Sequence, residues 1–167
     1  MMNNNTLKAI ELLRRLVETP SVSRQEDKAA DLMAQAMTSC GFEPVRMKNN
    51  VWTSAPGFSP HRPTLLLNAH LDTVKPVASW SRNPYECALE GDRLYGLGSN
   101  DCGGGLVSLW QTFTVLAQRP QPYNLLFLAS AEEFAHMNFG GLLRLSSRYS
   151  SVTWISIRPS SSRVKAS

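Results

Sequence analysis

Beyond Glu133 the chain contains no acidic residue; all 13 Asp and Glu lie at or before that position. Residues 1–134 carry 12 basic groups against those 13 acids, a net charge of −1, whereas residues 135–167 carry five basic groups and no acid, a net of +5. The overall charge of +4 and the sequence pI of about 9.2 therefore belong to the tail. A nucleic-acid-binding domain needs a basic face on its folded body, and this body is slightly acidic. No apolar run approaches the roughly 18 residues of a membrane span. The opening MMNNNTLKAIELL lacks the basic-then-apolar order of a secretory signal. Cys40, Cys87 and Cys102 are odd in number and lack metal-type pair spacing. They argue against a disulfide framework and for reduced thiols in a cytoplasm. There is no GxxxxGK(S/T) lysine to make the glycine run a phosphate cradle. There is no GxSxG elbow to make Ser99 or Ser130 a nucleophile. No internal repeat is found.

What remains is a chain of 167 residues, 43% hydrophobic and 18% charged, enough for one ordinary soluble domain. The spacing predicts a helix over about 7–18, capped by Thr6, with Leu7, Ile10, Leu13, Leu16 and Val17 on one face. Ser23 and Glu26 have capping-box spacing ahead of a second helix that ends near Gly41. FEPVRM and VWTSAP read as strands around Asn49-Asn50, and YECALEGDRLYG as a hairpin turning at Gly91-Asp92. LVSLWQTFTVLAQ is apolar on all sides and predicts a buried helix. TLLLNA and NLLFLAS are continuous apolar runs, the pattern of strands covered on both faces of an α/β sheet.

Both of those strands end in chemistry. The first runs into His70-Leu-Asp72, the second into Glu132-Glu133, and between them GLGSNDCGGG presents Asp101 before a helix. In open α/β sheets, function gathers at the carboxyl ends of strands. An imidazole with several carboxylates there suits Zn²⁺ and tolerates Mn²⁺ or Co²⁺. Each residue also has a plainer use. His70 is a satisfied surface residue in that reading, and Asp72 caps a loop, although at i+2 it is also placed to hold the imidazole tautomer. Asp101 caps the following helix. The adjacent glutamates are harder to dismiss, because two like charges cost energy without a cation, and one raised pKa suits a general base. Cys102 beside Asp101 has no basic partner near it in sequence, and reads as inert packing.

Together these stretches closely resemble the cocatalytic zinc peptidases and amidohydrolases of the acetylornithine deacetylase, succinyl-diaminopimelate desuccinylase and carboxypeptidase G type. LLLNAHLDTV is similar to the first signature of that family, GLGSNDCGGGLVSL to the second, and LLFLASAEE to the third, in the same order and at similar spacing. Trp80 and Pro84-Tyr85 resemble its Trp-x-x-x-Pro-Phe segment. The likeness runs from about residue 6 to Glu133, with nothing after Glu133 matching.

The resemblance implies a three-layer α/β zinc-exopeptidase-like sheet covered by helices. Residues 1–133 would be the N-terminal part only of the catalytic domain, with the dimerisation (lid) domain missing. It implies two Zn²⁺ per site. His70 would bind one metal, Asp72 would orient His70, and Asp101 would bridge both. In one register Glu132 is the general base and Glu133 a ligand. In the other Glu133 is the base, and the ligand position falls on Phe134. The implied reaction is hydrolysis of an N-acyl amino acid amide, with the acetylornithine deacetylase branch of arginine biosynthesis favoured. Succinylated amino acids and small dipeptides are alternatives. The substrate is a small molecule, with no nucleic acid and no membrane, in a cytoplasmic enzyme whose family forms homodimers. Gly103 stands where the family usually has Lys. Residues 134–167, with nine Ser among the last 33 residues, read as an atypical, poorly ordered Ser/Arg-rich tail; within it, WISI has the makings of a strand. The expectation is a truncated chain, with a frameshift just after Glu133 as one route to it, lacking one further carboxylate and one further His ligand. As a fragment it would be inactive or incomplete. The alternative is a non-catalytic α/β remnant that binds a partner through an exposed sheet edge.

Overall fold

The computed structural model of the chain describes residues 3–131 and 152–156. Helix α1 (Asn4–Val17) begins three residues earlier than expected. Its cap is Asn3, not Thr6: the Asn3 side chain accepts from the Thr6 N–H at 2.8 Å, so Thr6 is the capped residue. Asn caps as well as any residue, and this one sits a turn upstream of the first apolar position. Leu12, Leu16 and Val17 are buried, whereas Leu7 is exposed.

Helix α2 (Asp27–Ser39) buries Ala29, Ala30, Leu32, Met33 and Met37 and closes on Gly41, whose φ of +82° is a left-handed C-terminal cap. The expected capping box does not form. The Ser23 hydroxyl and the Glu26 carboxylate both have other partners, and α2 has no side-chain cap.

Among the described residues the strands are, in chain order, β1 (Val45–Met47), β2 (Asn50–Ser54), β3 (Thr64–His70), β4 (Ala88–Glu90), β5 (Arg93–Tyr95), β6 (Asn124–Ser130) and β7 (Val152–Ser156). Five make a mixed sheet in the order β1-β2-β6-β3-β7. β6 lies at its centre, and β3, beside it, runs parallel to β6 on one side and to β7 on the other. β2 runs antiparallel to β6. The β1–β2 hairpin pairs Met47 with Asn50, so it turns at Lys48-Asn49, one residue earlier than expected. β4 and β5 form the expected hairpin around Gly91-Asp92. Arg82 braces it with a two-pronged ion pair to Glu90 (2.5 and 3.1 Å) and a guanidinium 4.4 Å from the Tyr95 ring centre.

Helix α3 (Gly104–Leu116) returns the chain from the site to β6. It buries Leu106, Val107, Leu109, Trp110 and Phe113. It is not buried all round: Ser108 and Thr112 face solvent, their hydroxyls bonded to the carbonyls one turn back, and Val115 is half exposed.

The main core lies between the three helices and one face of the sheet. Val51, Leu67, Ala69, Leu125, Phe127 and Ala129 meet residues of α1, α2 and α3 there. Trp110 stacks on Phe113 with ring centres 5.4 Å apart, and Phe42 meets both rings edge-on. Each such side chain contributes roughly 1.5–3 kcal/mol by burial alone. The opposite face carries a smaller cluster of Leu66, Leu126, Leu128 and Trp52. Both faces of β3 and β6 are thus buried, as their continuous apolar runs require. Among the described residues all helices cover one face. No described helix is long and apolar enough to cross a membrane.

Candidate metal centre

The β3–β6 ladder ends in register, with His70 opposite Ser130. One more hydrogen bond, Leu71 N–H to Ser130 O at 2.7 Å, holds the two ends together. The chain then leaves the strand and pairs with the loop before α2: Thr73 N–H donates to Ser21 O (2.8 Å) and Ser23 N–H to Thr73 O (3.3 Å). This turn carries Asp72 back beside His70. Nδ1 of His70 lies 2.9 Å from the Asp72 backbone carbonyl and 3.3 Å from its Oδ1.

Asp101 arrives from the other direction. Ser99–Gly103 is an irregular wide turn in which Asp101 and Cys102 leave helical geometry before α3 begins. Two glycines make the turn possible. Gly98 has φ of +78°, and a Cβ there would lie 2.6 Å from the Thr73 methyl. Gly103 has ordinary φ, but a Cβ would lie 2.6 Å from the Gly98 carbonyl oxygen, which accepts from Gly103 N–H at 2.8 Å. The backbone passes too closely for any side chain, including the lysine the family resemblance suggests. The turn sets Asp101 Oδ1 3.0 Å from His70 Nε2.

Both groups facing Nδ1 are acceptors, so Nδ1 carries the proton of the neutral ring and Nε2 presents its lone pair to Asp101. The Asp72 hydrogen bond, against an opposing push from burial, raises the His70 pKa above the ordinary imidazole value, and the Asp72 and Asp101 charges add to it. For Asp72 burial pushes the carboxyl upward, but hydrogen bonds from His70 and Ser23 outweigh it and hold the pKa below the usual value. A lone pair facing a carboxylate calls for a proton or a cation between them. Two donors bonded to one Zn²⁺ at 2.0–2.1 Å, at angles from square to tetrahedral, stand about 2.9–3.4 Å apart. The His70–Asp101 pair fits that spacing.

Among the described residues no set of three or more His, Cys, Asp or Glu side chains gathers as a metal cage. Glu132 and Glu133, the remaining expected site residues, lie outside the described residues, as do Phe134 and His136. Ala131, immediately before Glu132, is fixed: its N–H donates to the buried Asn50 Oδ1 at 3.0 Å. Cys102 is buried, and burial pushes its thiol pKa up, which keeps it protonated rather than nucleophilic. The Ser130 hydroxyl donates weakly to Ala69 O (3.4 Å), not to His70.

The model of peptidase family M20/M25/M40 matches residues 66–152, more than half of the chain and spanning β3, the Asp101 turn and β6. The chain belongs to this family. The match continues past Glu133, so the family pattern does not break off there as expected. Among curated relatives, a succinyl-diaminopimelate desuccinylase of Delftia acidovorans is 25% identical over 138 residues, 75% of this chain and 36% of that protein. An acetylornithine deacetylase of Edwardsiella ictaluri is 27% identical over 148 residues, 81% of this chain and 39% of that protein. The chain thus spans little more than a third of their length. Two solved structures share the fold at a TM-score of 0.66: an M20 metallo-carboxypeptidase of Sulfolobus solfataricus (20% identity, 92% of this chain, 37% of that one) and the YXEP protein of Bacillus subtilis, described as a dinuclear metal-binding peptidase (18% identity, 90% and 42%).

Two residues at the site were not legible as such. Ser23 read as half of a capping box, and Asn50 as part of a turn. Their partners, Asp72 and Ala131, are distant in sequence, and no local pattern signals either contact.

Proposed function

We propose that this chain carries part of the catalytic machinery of a metal-dependent amide hydrolase acting on a small N-acyl amino acid. The observation that supports this best is the His70 Nε2–Asp101 Oδ1 pair, 3.0 Å apart at the carboxyl end of the interior strand β3. His70 would hold a metal through Nε2, Asp72 would keep the Nδ1 proton in place, and Asp101 would supply a carboxylate ligand shared by the metal pair. A bound pair of Zn²⁺ ions, or Co²⁺ or Mn²⁺, would polarise the amide carbonyl and lower the pKa of a bound water. Glu132 and Glu133 directly follow the fixed end of β6 and supply the general base and a further carboxylate. The base takes the proton of the attacking water and returns it to the leaving amine. The products are a carboxylate and a free amine. The two registers assign the base to Glu132 or to Glu133.

Among substrates we favour acetylornithine-type compounds, supported by the likeness of GLGSND and LLFLASAEE to that branch. Succinylated amino acids and dipeptides are the competing class, and relatives of both kinds match at similar identity. Three cysteines with no disulfide among them support a reducing, cytoplasmic setting. A second reading, a non-catalytic α/β module, is favoured by the donor count, since the described residues place only His70 and Asp101 at one point.

Zinc titration by calorimetry separates the two. Tight binding that is lost in His70→Ala and in Asp101→Ala supports the hydrolase reading. An absence of zinc binding by the wild-type chain, together with no release of amine from acetylornithine or succinyl-diaminopimelate, overturns it in favour of the second.

A further inference from the structure

The Ser23 hydroxyl donates to Asp72 Oδ2 at 2.9 Å, across 49 residues of sequence. The other oxygen of the same carboxylate faces His70 Nδ1. A hydroxyl has one proton to donate, so this contact commits it.

Ser23 is held there by backbone pairing with Thr73 and by a tight turn that follows it. Val22 and Thr73 form an isolated parallel bridge, flanked by the Thr73–Ser21 and Ser23–Thr73 backbone bonds. The chain then turns sharply, with Arg24 at φ of +72° and Gln25 N–H donating to Val22 O at 2.8 Å. Inside that turn the fully buried Glu26 accepts from Arg24 N–H (2.6 Å) and from Asn49 Nδ2 (2.9 Å). A buried carboxylate is costly unless hydrogen-bonded. Here it locks the turn that presents Ser23, and it leaves α2 without a side-chain cap.

We propose that Ser23 is a positioning residue that acts through Asp72 on His70. With Oδ2 taken by Ser23, the carboxylate cannot rotate freely, and Oδ1 stays on the Nδ1 side of the imidazole. That adds the carboxylate to the backbone carbonyl as a second acceptor at Nδ1, which favours the tautomer with its proton there over the one that donates from Nε2 to Asp101. Groups that orient a metal-binding His in this way typically change metal affinity 10–100-fold when removed. Ser23 is one bond further out, so about a tenfold loss is expected. The metal part of the inference rests on the hydrolase reading; the tautomer part does not.

The test is ¹⁵N NMR of the metal-free, full 167-residue chain, labelled at histidine. Spectra are taken at a pH where the imidazoles are neutral, and His70 is assigned by its loss in His70→Ala. The wild-type ring is expected to show the Nδ1–H pattern. Ser23→Ala should mix the two tautomers, and Ser23→Thr, which keeps the hydroxyl, should restore the single one. Ser23→Cys, close in size but a weak donor, should behave like Ala and serves where Ser23→Ala does not fold. A merely structural Ser23 would lower the urea midpoint and leave the His70 nitrogen shifts unchanged, and that result in Ser23→Ala or Ser23→Cys overturns the proposal. Zinc calorimetry on the same variants should show the tenfold loss and its recovery in Thr. Should the wild type bind no zinc, the functional reading falls, and the tautomer comparison still decides the role of Ser23.

Discussion

Placing a methyl group on Gly103 probes the turn that carries Asp101. The added Cβ lies 2.6 Å from the Gly98 carbonyl oxygen and 2.8 Å from Leu13 Cδ1. Leu13 can swing its methyl away. The carbonyl cannot, because it belongs to backbone that accepts from Gly103 N–H and sits at a positive-φ residue. To reach ordinary contact at 3.4 Å the two segments must part by 0.8 Å. Forcing a methyl into packed surroundings costs about 1–3 kcal/mol. Alanine regains at most about 1 kcal/mol of helix propensity in a helix interior, and less at this boundary position. A net loss of about 1–2 kcal/mol is expected for Gly103→Ala. In a domain of this size that lowers Tm by about 2–8 °C. Gly104→Ala is the control, since its Cβ meets Ser99 O at 3.0 Å and needs a smaller adjustment. Urea unfolding followed by circular dichroism gives both values. Gly103→Lys carries the same Cβ and should be at least as destabilised, so restoring the family residue does not rescue this turn. A Gly103→Ala protein as stable as wild type would refute the close backbone approach and the account of Asp101 placement built on it.

In the metal-free protein, stability should depend on pH through the His70–Asp72 pair. His70 is shifted up on folding, so its contribution is full below the unfolded imidazole pKa of about 6.5 and fades as pH rises through the folded value. Asp72 is shifted down, so its contribution is full above about 3.9 and fades as pH falls through the folded value. Urea midpoints should therefore hold between about pH 4 and 6.5, and Asp72→Asn should flatten the slope above 6.5; parallel curves for the two proteins would contradict the pairing. Thiol labelling with a disulfide reagent should modify exposed Cys40 first, Cys87 more slowly, and buried Cys102 only as the chain unfolds, whereas fast labelling of Cys102 would contradict its burial. Phe127→Ala removes a fully buried ring 5.2 Å from Trp110 and should cost about 3–5 kcal/mol in urea unfolding. A loss below about 1 kcal/mol would show that the core is centred elsewhere.

The central strands were legible because LLL and NLLFL leave little choice. A run apolar on both faces must be covered on both, and β3 and β6 are. Helix ends were less legible, since capping is a competition between neighbours. Asn3 and Thr6 each qualify, and only the first helical turn decides which side chain accepts and which amide donates. The Ser23–Glu26 pattern misled for a related reason. The spacing of a capping box records two side chains that can reach backbone amides, and here tertiary partners 49 and 23 residues away outbid the helix end. The His70–Asp101 contact spans 31 residues and depends on a turn whose dimensions are set by Gly98 and Gly103, so the pairing follows from strand ends and glycines only in outline.

Asp72 shows how a sequence argument can reach the right neighbour by the wrong route. Alternation along a strand places residues i and i+2 on one face, which is why Asp72 read as a partner for His70. Yet β3 ends at His70. What brings Asp72 back is the departure from the strand at Leu71 and the pairing of Thr73 with the loop before α2. That geometry turns the Asp72 backbone carbonyl, as well as its carboxylate, toward Nδ1, which a regular strand would not do. The same departure places Asp72 within reach of Ser23. The His-Leu-Asp triplet is therefore not a self-contained device. It holds its geometry only when the α1–α2 loop, with its buried Glu26, is folded against it. It follows that a change at Glu26 or Asn49 should disturb His70 without touching it, and should do so before it unfolds α2.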